Sequence, residues 1–176
     1  MKIRLETAAN WIIIVTGLMV AVLLAARFAD NQRQGPRKVS ESYRPGDKLT
    51  TGEVPVDFSK APQTLVLVVS SQCHYCTASM PFYRDLLTGI SRAQNHTQVV
   101  AAGLLEKTTA LQKYLNDNQL AVDQIITVST AKTKFKVTPT VLLVDRNGII
   151  KGVWTGMLST EQSQKDLVRV ITLGHA

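Results

Sequence analysis

Five consecutive aliphatic residues, Leu65-Val66-Leu67-Val68-Val69, end four positions before Cys73-His74-Tyr75-Cys76, which holds the only two cysteines of the 176-residue chain. A continuous apolar run of this length predicts a strand buried on both faces, so something must cover each side of it. Directly afterwards Cys76, Met80, Tyr83, Leu87 and Ile90 recur at spacings of four and three, the apolar face of a helix that Pro81 should kink. Strand, cysteine pair and helix in that order constrain the fold more than any other feature.

The same junction predicts chemistry. The sulfur of the first cysteine lies near unpaired backbone N–H groups and the positive end of the helix dipole, which favour thiolate over thiol. Cys73 is therefore the expected nucleophile. Cys76, one turn into the helix, can attack a mixed disulfide formed at Cys73 and release the partner. A structural zinc site would need four ligands, and no second cysteine pair exists; His74, His96 and His175 would have to be gathered by the fold. A purely structural disulfide is disfavoured, because a two-residue spacer closes a very small loop and gains little chain entropy. Dithiol–disulfide exchange needs no organic cofactor and no metal, since the cysteines carry the electrons.

Around this core the pattern alternates. Gln98–Leu105 and Ile125–Val128 read as strands, and Thr108 or Thr109 is placed to cap a helix carrying Leu111, Tyr114 and Leu115. Ala131–Phe135 reads as a short turn of helix. Thr140–Val144 and Ile149–Trp154 flank Asp145-Arg146-Asn147-Gly148, a hairpin turn signal. Ser159 or Thr160 then caps a last helix with Leu167, Val168 and Ile171. The fold class is α/β, a central mixed sheet with helices on both faces.

The N-terminus sets the chain's environment. Trp11–Ala26 carries no charge, and with residues 8–10 it approaches the ~20 residues that cross a bilayer. Residues 1–29 are expected to form a transmembrane anchor, with membrane contact over 11–28. Ala25-Ala26-Arg27-Phe28-Ala29 is a poor signal-peptidase site. Residues 30–48, polar and broken by Gly35, Pro36 and Arg44-Pro45-Gly46-Asp47, are expected to be a flexible linker to a domain over 49–176. Two basic residues precede the span and four follow closely, which counted literally favours a cytoplasmic domain. A short basic N-terminus ahead of an anchor, and a lone redox pair suited to an oxidising compartment, favour export. The domain is expected on the outer side of a bacterial cytoplasmic membrane. Residues 1–44 hold seven Lys/Arg against three Asp/Glu, and residues 45–176 thirteen against ten, so the globular part is only mildly basic. Nothing in it resembles a nucleic-acid surface.

Residues 45–173 resemble the thioredoxin superfamily, most closely its membrane-anchored TlpA-like branch. The resemblance rests on the CxxC at a strand–helix junction, Pro81 five residues after Cys76, Thr138-Pro139-Thr140 ahead of a strand and hairpin, and Trp154-Thr155-Gly156 before the last helix. It implies a cis peptide before Pro139 and a partner-docking edge at Thr138 and Pro139. It implies protein thiols and disulfides as partners, with a membrane electron donor or acceptor. His74 and Tyr75 would tune the Cys73 thiolate. The chain departs from the family pattern at Gln72, where many thioredoxins have Trp, and at Leu67 and Ser79, where carboxylates commonly relay the proton of the buried cysteine. Rival readings are a copper-binding chaperone using the two cysteines and a histidine, a non-catalytic subunit of a membrane assembly, and a peroxiredoxin-type peroxidase. The last lacks a Thr three residues before the cysteine, where Ser70 stands.

Overall fold

The computed structural model describes residues 15–20, 42–92 and 96–173. In it the aliphatic run lies within β1 (Gln63–Val69), and every residue of that strand is buried. β1 pairs in parallel with β2 (Thr97–Leu104), matching Val69 to Gly103, and antiparallel with β4 (Thr140–Asp145), matching Val68 to Thr140. β3 (Gln124–Val128) extends the parallel side, and β5 (Ile150–Thr155) the antiparallel side, giving the order β3-β2-β1-β4-β5.

Because side chains alternate along a strand, β1 feeds two cores. Leu65, Leu67 and Val69 join α1 (His74–Arg92), α2 (Thr108–Asp117) and α3 (Glu161–Leu173) through Met80, Tyr83, Leu111, Leu115, Leu167 and Ile171. Val66 and Val68 face the opposite cluster. Each such side chain contributes roughly 1.5–3 kcal/mol on full burial. On α1 it is Leu86 that is fully buried, while Leu87 only packs partly against the cluster.

α1, α2 and α3 bury their apolar faces on one side of the sheet. The second helical layer expected from the sequence is replaced by Tyr43, Leu49, Val54 and Val56, the 3-10 turn Phe58–Lys60, and Phe135. Residues 131–135 form turns instead of a helix. The Ser129 carbonyl accepts from the N–H groups of Lys132 and Thr133 and from the Thr133 hydroxyl, and Ser129 Oγ accepts from the Ala131 N–H. Such side-chain bonds compete with helical ones. α2 starts after Lys107 with no side-chain cap, whereas Thr160 Oγ1 caps α3 by accepting from the Ser163 N–H at 3.2 Å.

Residues 42–48, expected as the end of a flexible linker, are pinned to the sheet. Tyr43 is buried and donates to Glu53 at 2.9 Å, while Lys134 pairs with Asp47 and sits over the Tyr43 ring. Gly46 N–H donates to the Ile150 carbonyl, and Ile150 N–H to the Asp47 carbonyl. The cause is the edge of β5: its unpaired backbone groups need partners, and a polar segment supplies them as well as an apolar one.

The hairpin turn is locked the same way. Asp145 Oδ1 accepts from the N–H groups of Asn147 and Ile149, each at 2.9 Å, and Gly148 takes φ +80°. A Cβ at Gly148 would lie 2.7 Å from the Leu49 carbonyl oxygen. Gly148→Ala is expected to cost about 2–3 kcal/mol, the left-handed penalty plus a backbone clash, measurable by urea denaturation.

Residues 1–40 and 41–176 are separate compact units. In the first, residues 15–20 are helical and exposed. Among the described residues no helix is long and apolar enough to cross a membrane. The remainder of the anchor expected over 11–28 lies outside the described residues.

Candidate active site

β1 delivers the chain to the cysteines through a three-residue bend. The Ser70 carbonyl accepts the Cys73 N–H at 3.1 Å. Ser71 is held by Glu106, whose Oε2 accepts its N–H at 3.0 Å and its hydroxyl at 2.7 Å. α1 begins at His74, so Cys73 occupies its N-cap: Cys73 Sγ accepts the Cys76 N–H at 3.2 Å, and its carbonyl accepts the Thr77 N–H at 3.2 Å. A sulfur thus does the work a Ser or Asp oxygen usually does at a helix start.

From the other side of the site, the Thr138 carbonyl accepts the Cys73 thiol at 3.4 Å. The Thr138–Pro139 peptide is cis. Pro139 is buried, and its carbonyl accepts the Gly156 N–H at 2.7 Å. Gly152 lies under the Trp154 ring, where a Cβ has no room, and Trp154 packs partly against the helical core.

The two sulfurs differ in kind. Both are free thiols; Cys73 is partly exposed and Cys76 fully buried. Burial pushes the Cys73 thiol up, but hydrogen bonds from the Cys76 thiol, the Thr138 side chain and the N–H groups of Cys76 and Tyr75 outweigh it and hold Cys73 below its ordinary value. Cys76 goes the other way. Burial, its hydrogen bond to Cys73 and the charge there push it up to about 12. One sulfur is readied as a thiolate, while the other keeps its proton until that negative charge is gone.

His74 and Tyr75 sit at the mouth. Both are exposed, Tyr75 at 60%, and their rings meet edge-on with centroids 5.7 Å apart. Tyr75 acts on Cys73 through its backbone N–H; among the described residues the hydrogen bonds that lower Cys73 come from Cys76, Thr138 and Tyr75, not from His74. Ser79 is buried and donates to the Tyr75 carbonyl at 2.8 Å. The carboxylate that serves this loop is Glu106, which sequence reasoning did not select. Its signal was an acid just past the end of the strand beside β1, with Gly103 leaving room for its side chain: a Cβ there would lie 3.0 Å from Glu106 Cγ. Among the described residues no three His, Cys, Asp or Glu side chains converge into a metal-ligand set.

No protein-family model matches this chain, and no curated protein matches it in sequence. Solved structures do match its shape. The thioredoxin domain of a thiol-disulfide oxidoreductase from Bacteroides vulgatus superposes with TM-score 0.56 at 12% identity, covering 74% of this chain and 99% of that one. A thioredoxin family thiol:disulfide interchange protein from Chlorobium tepidum gives 0.55 at 14%, covering 77% and 100%. A further Chlorobium tepidum structure, designated thiol:disulfide interchange protein DsbE, gives 0.55 at 19%, covering 77% and 99%. The fold is thioredoxin-like. At these identities the likeness concerns the fold, and in this thioredoxin-like domain the cysteine pair stands at the carboxyl end of the central strand.

Proposed function

We propose that this protein is a thiol–disulfide oxidoreductase that exchanges a Cys73–Cys76 dithiol or disulfide with protein partners. The observation that carries the reading is the asymmetry of the two sulfurs: a partly exposed, thiolate-favouring Cys73 on the N-cap of α1, over a buried Cys76 that holds its proton. Cys73 attacks the partner disulfide, and Cys76 resolves the mixed disulfide. The partner's extended segment lies along Thr138 and Pro139, flanked by the exposed Tyr75 and Val137. His74 at the mouth acts on partner preference and on the thiolate. The uncharged run 11–26 supports a tether in the cytoplasmic membrane, and the lone cysteine pair supports a domain on its outer side, as in the TlpA-like branch, with a membrane electron donor or acceptor as second partner.

The test is the reduction potential of the full-length chain in detergent, equilibrated with glutathione and dithiothreitol buffers. A value below about −230 mV makes it a reductase fed through the membrane, and one near about −150 mV or higher an oxidant or isomerase. Failure of the pair to interconvert reversibly between dithiol and disulfide would overturn the reading.

A further inference from the structure

Leu105 holds φ +58° although it is not a glycine, and its side chain is 68% exposed, so packing does not explain the strain. A backbone conformation of this kind persists where the surrounding structure over-determines it. Here the Leu105 N–H is fixed on the Val128 carbonyl at 3.0 Å, and the next residue, Glu106, folds over Gly103 to the bend between β1 and α1. Gly103 makes the path: a Cβ there would stand 3.0 Å from Glu106 Cγ and 3.1 Å from Leu111 Cδ2. A strained residue and a missing Cβ serve one contact.

That contact grips a peptide plane. The Ser71 N–H donates to Glu106 Oε2 at 3.0 Å, and the Ser71 hydroxyl to the same oxygen at 2.7 Å. The carbonyl at the other end of the Ser70–Ser71 peptide accepts the Cys73 N–H at 3.1 Å. Ser70 Oγ accepts the Gln72 N–H at 3.3 Å and closes the bend. The preceding N–H, that of Ser70, hydrogen-bonds the Cys76 sulfur and, with the Thr138 side chain, opposes the rise that burial gives this thiol.

We propose that Glu106 is a positioning residue for the resolving step: its grip on Ser71 holds the bend in the placement where the Ser70 N–H meets the Cys76 sulfur. This deepens the exchange reading above and rests on it. In the mixed disulfide Cys73 is bonded to the partner sulfur, and Cys76 must lose its proton inside the core. A backbone N–H held in place stabilises the thiolate that forms. That thiolate attacks Cys73 Sγ, the bond from Cys73 to the partner sulfur breaks, and the departing partner thiolate takes up the proton Cys76 released. The Cys73–Cys76 pair ends as a disulfide and the partner as a dithiol. The hydrogen bonds that hold Cys73 down come from Cys76, Thr138 and Tyr75, which lie outside the bend, so the first attack is spared.

Cys73 bears on Cys76 from the start of α1; Cys76 in turn bears on Tyr83 in α1 and on Tyr114 in α2, which also feels Glu106. The buried faces of β1, β2, β4 and α3 in this cluster are aliphatic. A carboxylate acting by charge alone would oppose ionisation of Cys76, whereas one acting through the bend assists it, so its removal separates the two.

The experiment mixes reduced full-length protein with dipyridyl disulfide, a neutral reagent, in stopped flow. The first pyridinethione released reports attack by Cys73, and the second reports resolution by Cys76. Glu106→Ala should leave the first phase within about twofold, slow the second about tenfold at neutral pH, and raise its pH midpoint by about one unit. Glu106→Gln keeps one acceptor oxygen for Ser71 and should slow the second phase only about threefold. An unchanged or faster second phase in Glu106→Ala overturns the proposal, while absence of both phases in the parent indicts the exchange reading instead. A double-mutant cycle distinguishes the contact from a general loosening of the fold. Ser71→Ala should slow the second phase about threefold in the parent and not at all in Glu106→Ala; additive effects overturn the proposal as well.

Discussion

Cys73→Ser is expected to abolish disulfide exchange, lowering the rate roughly a thousandfold or more, because a serine hydroxyl does not ionise near neutral pH. The loss would not come from unfolding. Serine is among the preferred N-cap residues, and its oxygen can accept the Cys76 N–H that Cys73 Sγ accepts now. Cys76→Ser should behave differently. The first attack remains and the resolving sulfur is gone, so a partner protein stays covalently attached. Cys76 enters the Cys73 hydrogen bonds partly through its backbone N–H, which the substitution keeps, so Cys73 should retain part of its thiolate character. Non-reducing electrophoresis and mass spectrometry of full-length Cys76→Ser should show a mixed disulfide at Cys73 that dithiothreitol releases. Exchange persisting in Cys73→Ser would remove Cys73 from its role and, with it, the functional reading.

The second large effect is the additional loss of stability in alkali that the Cys76 thiol gives the reduced protein. Cys76 is raised from 9.0 to about 12 on folding. A group whose value is raised on folding contributes stability that is complete below its unfolded value and is lost as pH climbs toward the folded one. The reduced protein should therefore lose about 1.4 kcal/mol per pH unit from this group between pH 9.0 and about 12, approaching about 4 kcal/mol. Cys73 has the opposite sign. Its value is lowered, so its contribution is present above 9.0 and fades as pH falls through the depressed value. Tyr43 and Tyr83 are raised from 10.0 and add losses of the same sign as Cys76. Urea denaturation of reduced parent and reduced Cys76→Ser across the alkaline range isolates the Cys76 part as the difference between the two slopes. Parallel curves would mean that Cys76 ionises as easily folded as unfolded.

Much of the site could be read directly from the residues. β1, the opening of α1 at the cysteine pair and the hairpin at Asp145–Gly148 are written in local terms: an aliphatic run, a helical spacing, a turn tetrapeptide. Part of the lowering of Cys73 followed from the same local logic, because a helix start supplies N–H groups wherever it occurs, whereas burial in the packed fold raised Cys76. Residues 42–48 have the composition of a linker, yet they take the conformation that the open edge of β5 requires.

The sequence by itself determined the strand, the dithiol, the helix that carries it and the hairpin, since these depend on residues within a few positions of one another. Only the tertiary structure decided which distant groups meet at the cysteines. Glu106 reaches Ser71 across 35 residues, and the Thr138 carbonyl reaches Cys73 across 65. Such meetings follow from strand order and register, set by burying the whole chain at once, and no local spacing encodes them.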